Sequence, residues 1–372
     1  MSSFSSFDTA VSEPMLRQVF NKIPKHIAAT SGCNAAELLK AAYADTAVVW
    51  RGDFHQAKQV LAAVKKRVRK PAKACAPQNI QTAFHTHRMK QAQQSRIINM
   101  LTVEIDIGFT LDLPRAPDIY AALKDVYGED NTEPFLLPLN KLLGYIGAHE
   151  WHKKGVDIPA LNGKIHVPFG VFSPLRGEYL DLVMQAPLAA HFQTAFDIGT
   201  GSGILAALLA RRGISHVVGT DTNPRAIACA QNNIRRLGFE RQVKIEAVDL
   251  FPQGCADLIV CNPPWLPAKP TSDVETALYD PDSMMLKAFL NGVSRHLTPG
   301  GEAWLVISDL AEHLQLRKPD FLAQHFQTAS LEVVGILKTK PVHKKAADSD
   351  DPLAFARNRE TTFLYRLKVA ES

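Results

Sequence analysis

One stretch of the chain has residue types suited to transfer chemistry at nitrogen: Cys261-Asn262-Pro263-Pro264-Trp265-Leu266-Pro267, directly after the apolar run Ala256 to Val260. Two prolines without N–H groups bar both a helix and further strand pairing, so the chain must stop its strand there and hold a rigid turn. A stiff surface turn is the plain structural reading of a lone Pro-Pro. Next to a ligand site, the Asn262 side-chain oxygen and the Pro263 carbonyl become two hydrogen-bond acceptors at fixed angles. They suit an amide or exocyclic amine, a poor nucleophile because its lone pair is delocalised. Two acceptors orient such an NH₂, favour a more tetrahedral lone pair and stabilise the positive charge that develops on reaction. Pro264 and Trp265 follow as substrate-facing residues. The indole offers a flat face to a planar amide, or to a base, where stacking is worth about 1–3 kcal/mol. No general base is needed before transfer, because the proton can leave afterwards to water.

A second constellation lies upstream in "FDIGTGSGIL", where Gly199, Thr200, Gly201 and Gly203 join an apolar strand to an apolar helix. Glycines there let the backbone turn tightly and a ligand approach closely. Asp221 ends the next strand about twenty residues on, a distance that suits a carboxylate accepting both hydroxyls of a ribose. Asp249, with Leu250 after it, closes the third strand at the same edge. The G-x-G-x-G spacing departs from the dinucleotide G-x-G-x-x-G. Asp197, two residues before the first glycine, would repel a pyrophosphate. It suits a ligand with an ammonium and a sulfonium, so S-adenosyl-L-methionine is the expected cofactor rather than NAD.

These residues need a scaffold that brings several strand ends to one edge. From Phe192 onward strands and helices alternate: "AFDIG", "SGILAALLARRG", "HVVGTD", "NPRAIACAQNNIRRLG", "VKIEAVD", "ADLIVC", then a helix over Asp282 to Leu297. Asn223 caps the second helix, Pro224 sits in its first turn and Gly238 past its end. "TPGG" is read as a turn into "EAWLVIS", and "LEVVGILKTK" and "TTFLYRLKV" close the pattern. Such alternation predicts an α/β domain with a doubly wound, mainly parallel sheet covered on both faces. We place it at residues 163–372. Residues 1–162 read as a mostly helical substrate-recognition domain with some strand around Val103, Ile105 and Ile107, and "VWRGDF" (Val49 to Phe54) as a helix-to-loop corner.

The set "FDIGTGSG", "GTD", "VD" and "NPPW" resembles the class I S-adenosylmethionine-dependent methyltransferases, most of all the HemK-type release-factor glutamine methyltransferases with the methyltransferase small domain. The likeness covers roughly Val167 to Val369. It implies a seven-stranded, Rossmann-like sheet, with Asp197 and Gly199 to Gly203 holding the methionine part, Asp221 the ribose, Asp249 with Leu250 the adenine, and Asn262 beside the methyl donor. "RGEYLDLV" partly matches the family's R-P-E-T-E-x-L-V element: Arg176, Glu178, Leu182 and Val183 fit, whereas Gly177, Tyr179 and Leu180 do not. The implied acceptor is a glutamine of a translation protein. An adenine or guanine amine in RNA or DNA is the alternative acceptor, and a non-catalytic cofactor- or nucleic-acid-binding module the alternative of another class.

Bulk features bound these readings. The start "MSSFSSFDTA" lacks a signal-peptide layout, and the five scattered cysteines form no C-x-x-C pair, which fits reduced thiols in a cytoplasm. "AHEWH" holds His149 and His152 three apart, not the four of a zinc helix, and "HTH" (His85, His87) lacks a third ligand, so no metal is expected. Residues 54–103 carry ten Lys/Arg and no Asp or Glu. That run, tightest from Lys65 to Lys73, is either a solvated helix face or a docking surface for phosphates or an acidic partner. Two loops are placed by topology: Leu266 to Asp282 as a lid, and Pro341 to Glu360, whose His343, Lys344, Lys345 and Arg357 can reach substrate.

Overall fold

The computed structural model describes residues 4–6, 16, 20, 22–69, 79–174, 177–270, 278–341 and 353–370. The chain divides into two units, residues 1–73 with 85–150 and residues 74–84 with 151–372. Among the described residues no helix is long and apolar enough to cross a membrane.

In the first unit, β1 (Ser5–Ser6), β2 (His26–Thr30), β3 (Thr46–Trp50), β4 (Leu101–Ile105) and β5 (Phe135–Pro138) lie side by side in that order. The three inner strands are parallel, and the two edges antiparallel. Around them run α1 (Ala35–Tyr43), α2 (Phe54–Val68), α3 (Ile80–Ile98) from residue 85 onward, α4 (Tyr120–Tyr127) and α5 (Leu139–Lys154) up to residue 150. Helix is plentiful, but the centre of this unit is a sheet. The expected helix-to-loop corner at Val49 to Phe54 is instead the end of the innermost strand and the start of α2. Val49 and Trp50 are fully buried. The Trp50 indole donates to Asp53 O at 3.1 Å, and the Asp53 carboxylate caps α2 through the Gln56 N–H at 3.0 Å. Arg51 pairs with Glu104, and Asp53 with Arg115.

The second unit opens with the hairpin β6 (Val156–Ile158) and β7 (Gly163–Ile165), then α6 (Glu178–Gln185). Its main sheet comprises β8 (Thr194–Ile198), β9 (His216–Asp221), β10 (Val243–Ala247), β11 (Ala256–Cys261), β12 (Leu297–Ser308), β13 (Leu331–Thr339) and β14 (Thr362–Val369). The spatial order is β10-β9-β8-β11-β12-β14-β13, with only β14 antiparallel to its neighbours. The chain starts in the middle at β8, winds outward to β10, then crosses back to β11. A topological switch therefore falls between β8 and β11, where open α/β sheets bind ligands at their carboxyl ends.

Helices α7 (Ile204–Arg211), α8 (Pro224–Arg236), α9 (Met284–Val293), α10 (Leu310–His313), α11 (Phe321–Thr328) and α12 (Ala354–Arg357) complete the unit. Every residue of α7 from Ile204 to Ala210 is buried, as an all-apolar helix requires. α8 starts as its sequence demands, with Asn223 Oδ1 accepting from Arg225 N–H at 3.0 Å and Pro224 in its first turn. The expected helix at Asp282 to Leu297 is shorter because Asp282 and Ser283 take positive φ just before α9. "TPGG" lies inside the long strand β12 rather than in a turn before it. At the opposite edge from the switch, Asp257 binds the N–H groups of Gln193 and Thr194 and the hydroxyls of Thr194 and Thr298, fastening β8, β11 and β12 together.

Candidate active site

After Ile198 the backbone turns through Gly199 to Gly203 into α7. Gly201 (φ +55°) and Gly203 (φ +80°) adopt the left-handed region, where an L side chain is strained. A Cβ at Gly203 would come within 3.1 Å of Ala230 on α8, so bareness there lets the two helices pack. Above Gly201 a Cβ would meet only Gly199 O, at 3.9 Å, which leaves open space for a ligand. Thr200 closes the turn from below, its N–H donating to Thr220 O at 2.8 Å.

Asp197 is buried beneath this turn. Its Oδ2 accepts from the Thr200 hydroxyl at 2.6 Å and the Ala206 N–H at 2.9 Å, whereas its buried Oδ1 has no hydrogen-bond partner. Burial raises its carboxyl pKa, the two donors pull it back and the Asp221 charge raises it again, leaving it at about 6. Glu178, at the start of α6, also buries a carboxylate oxygen, Oε1, without a partner. Burial first, then the charges of Asp197 and Glu178, push the buried Tyr179 phenol upward. Partnerless buried acceptors are rare and call for a donor. A cationic ammonium satisfies them, so the residues present fit the methionine end of S-adenosylmethionine.

Asp221 ties the turn to the next loop: Oδ2 accepts from Gly201 N–H at 3.0 Å and Oδ1 from Asn223 N–H at 2.9 Å. Each oxygen keeps a further lone pair for a ribose hydroxyl. β10 ends at Ala247, two residues before the exposed Asp249. Leu250 follows at φ +58°, packed against the core cluster that holds Phe196, Leu286 and Phe289.

Across the switch, Val260 and Cys261 pair in register with Asp197 and Ile198, so Asn262 leaves β11 level with the start of the glycine turn. Its Oδ1 accepts from the Trp265 indole N–H at 2.9 Å. Trp265, read from sequence as a stacking face, thus also fixes the amide, and its ring is partly buried against two core clusters. The buried Arg317 donates to Trp265 O at 2.9 Å and lies 3.1 Å from Glu312. Cys261 is fully buried; desolvation, with Asp197 and Asp280, pushes its thiol well up, so it is no thiolate nucleophile.

The segment after the prolines folds back on itself: Leu266 N–H donates to Leu278 O and Asp280 N–H to Leu266 O. The expected lid is therefore tied at its base, and residues 271–277 lie outside the described residues. Asp280 caps α9 through the N–H groups of Met285 and Leu286. Leu353 and Ala356 of the α12 region pack with Leu266, Ala268 and Tyr279, which sets half-buried Arg357 on the element beside that segment. Arg176 and His343, with Lys344 and Lys345, lie outside the described residues. His149 pairs with Asp125 in the first unit. A cavity of about 640 Å³ sits over β12 and β14 under α11, bounded by Asp309, Phe326, Phe363 and Tyr365; the glycine turn does not line it.

Sequence reasoning missed three positioning residues. Asn233 accepts from His166 N–H at 2.8 Å and donates to His166 O and Ser202 O, bracing the glycine turn from α8. An amide on the buried stripe of α8, beside Ala226, Cys229 and Ala230, was the available signal. Asp280 and Arg317 had none, because their partners are distant or their loops irregular.

Residues 162–334 match the family described as "Methyltransferase small domain". A release factor glutamine methyltransferase of Cereibacter sphaeroides is 34% identical over 140 residues, which are 34% of this chain and 50% of that protein. A ribosomal protein L11 methyltransferase of Symbiobacterium thermophilum is 44% identical over 66 residues, 18% of this chain and 22% of that protein. A ribosomal protein L11 methylase structure from Lactobacillus delbrueckii subsp. bulgaricus aligns with TM-score 0.37 and 19% identity, over 56% of this chain and 87% of that chain. The chain spans at most half the length of the two sequence relatives. The sheet order, the glycine turn and the family match together fit the fold of a class I S-adenosylmethionine-dependent methyltransferase domain in the second unit. Residues 162–334 are thus similar to methyltransferase small domains, with a release factor glutamine methyltransferase among the relatives.

Proposed function

We propose that the chain transfers a methyl group from S-adenosylmethionine to the side-chain amide of a glutamine in a translation protein. The observation that carries this reading is Asn262, held by Trp265 at the end of β11 and level with the glycine turn. When bound, the cofactor supplies an electrophilic methyl group on a sulfonium. The protein's part is orientation. Asn262 Oδ1 keeps one lone pair for an acceptor N–H, and Pro263 O offers a second acceptor. Together they turn the amide lone pair toward the cofactor side and stabilise the charge that builds on nitrogen. The proton then leaves to water. Asp197 and Glu178 bind the ammonium end, Asp221 the ribose, and Asp249 with Leu250 flank the adenine. Pro264 and Trp265 shape the acceptor slot, with Arg357 at its margin. The first unit recognises the protein that carries the glutamine. Similarity to release factor and ribosomal protein methyltransferases supports a protein acceptor. The test is incubation with methyl-labelled cofactor and cell extract, followed by protease or nuclease. Label released as methylated glutamine supports the reading; label that survives protease and is freed by nuclease overturns it.

A further inference from the structure

Helix α2 buries Phe54, Ala57, Leu61 and Val64 and leaves its cations outside that stripe. Lys58, Lys65 and Arg69 follow at spacings that stack them in one line, and Lys66 and Arg67 widen it. The Gln94 amide of α3 donates to Val68 O at 3.1 Å, which brings the turn of α3 carrying Lys90, four residues earlier on the same face, beside this end of α2. Between Phe84 and Ile97 no described residue of α3 is buried, and its exposed side chains include Lys90, the amides Gln91 and Gln93, His85 and the hydroxyls Thr86 and Ser95. Among the described residues, Lys65, Lys66, Arg67, Arg69 and Lys90 pair with no carboxylate. Partial burial, then the Arg69 charge, lowers the Lys65 pKa.

The helix dipole favours cations in the last turn of α2, but it explains neither Lys58 nor Lys90. A protein partner would call for an apolar or aromatic centre; here Met89 is the one large exposed apolar side chain of α3. Amides and cations without an apolar centre match phosphate oxygens. We propose that this face of α2 and α3 docks on the phosphate backbone of RNA. The choice of RNA over DNA rests on the proposed acceptor, since translation proteins work on RNA-bearing particles.

The test is fluorescence anisotropy of a labelled single-stranded RNA with the full chain, across salt concentrations and without cofactor or acceptor. The expected result is a log–log salt slope of about −0.7 per neutralised phosphate. Lys65→Gln/Lys66→Gln/Arg69→Gln should weaken binding at least ~10-fold and flatten the slope by about 2, with circular dichroism and methyl transfer to a glutamine peptide unchanged. Equal RNA affinity in the triple variant overturns the proposal, as does tighter wild-type binding to polyglutamate or to duplex DNA than to RNA. Because binding is read without turnover, its failure is separable from failure of the glutamine reading.

Discussion

The Trp265 indole N–H donates to Asn262 Oδ1 at 2.9 Å, so one lone pair of that oxygen fixes the amide plane while the other remains for an acceptor. Trp265→Phe keeps an aromatic ring and removes this bond. Turnover should fall about 10- to 100-fold with S-adenosylhomocysteine affinity within twofold, because a slightly misplaced orienting group loses reactivity rather than cofactor binding. Steady-state kinetics with calorimetric binding read both quantities.

Arg317 holds the same turn from behind, through Trp265 O, and answers the Glu312 carboxylate. Arg317→Met leaves Glu312 buried and alone, a loss of about 3–5 kcal/mol in denaturant unfolding. Adding Glu312→Gln should recover part of that stability. It should not recover the rate, because the bond to Trp265 O is still missing.

Asp197 carries a pH signature. Its folded pKa, about 6, lies above the ordinary carboxylate value, chiefly through burial. The native state therefore holds this proton more tightly than the unfolded chain. The stability it contributes is full below about pH 4 and is lost as pH rises through 6. Asp197→Asn should raise the melting temperature of the ligand-free protein at pH 7.5, by about 1 kcal/mol or more of stability, with the gain vanishing toward pH 4. The same variant should bind S-adenosylhomocysteine at least ~10-fold more weakly at pH 7.5, since the arriving ammonium favours the carboxylate.

Asp257 behaves oppositely. Burial raises its carboxyl pKa, but the Gln193, Thr194 and Thr298 donors outweigh this and hold it at about 2. Its stabilisation is present above the unfolded value near 4 and is lost as pH falls through 2. Asp257 is only half-buried, so screening limits the effect to about 1 kcal/mol. Acid unfolding of Asp257→Asn should show a shallower loss between pH 4 and 2 than wild type.

The second unit was legible because local signals agreed there. The Asn223 cap, Pro224 and Gly238 bounded α8, and the glycine turn and "NPPW" marked two strand ends that the sheet order makes neighbours. The sheet of the first unit was not legible. β2 is "HIAAT" and β5 only "FLLP", runs too short for a period to separate strand from buried helix, and β3 was hidden by the turn chemistry of Asp53. Arg317 and Trp265 are 52 residues apart, and no local pattern announces that bond.

The central claim is that Asn262 orients the nitrogen that receives the methyl group. Its most direct test is the single-turnover rate of Asn262→Ala with methyl-labelled S-adenosylmethionine and a glutamine acceptor, beside cofactor affinity measured with S-adenosylhomocysteine. The account predicts a loss of about 100-fold or more in rate with affinity within twofold. Transfer at the wild-type rate would contradict it.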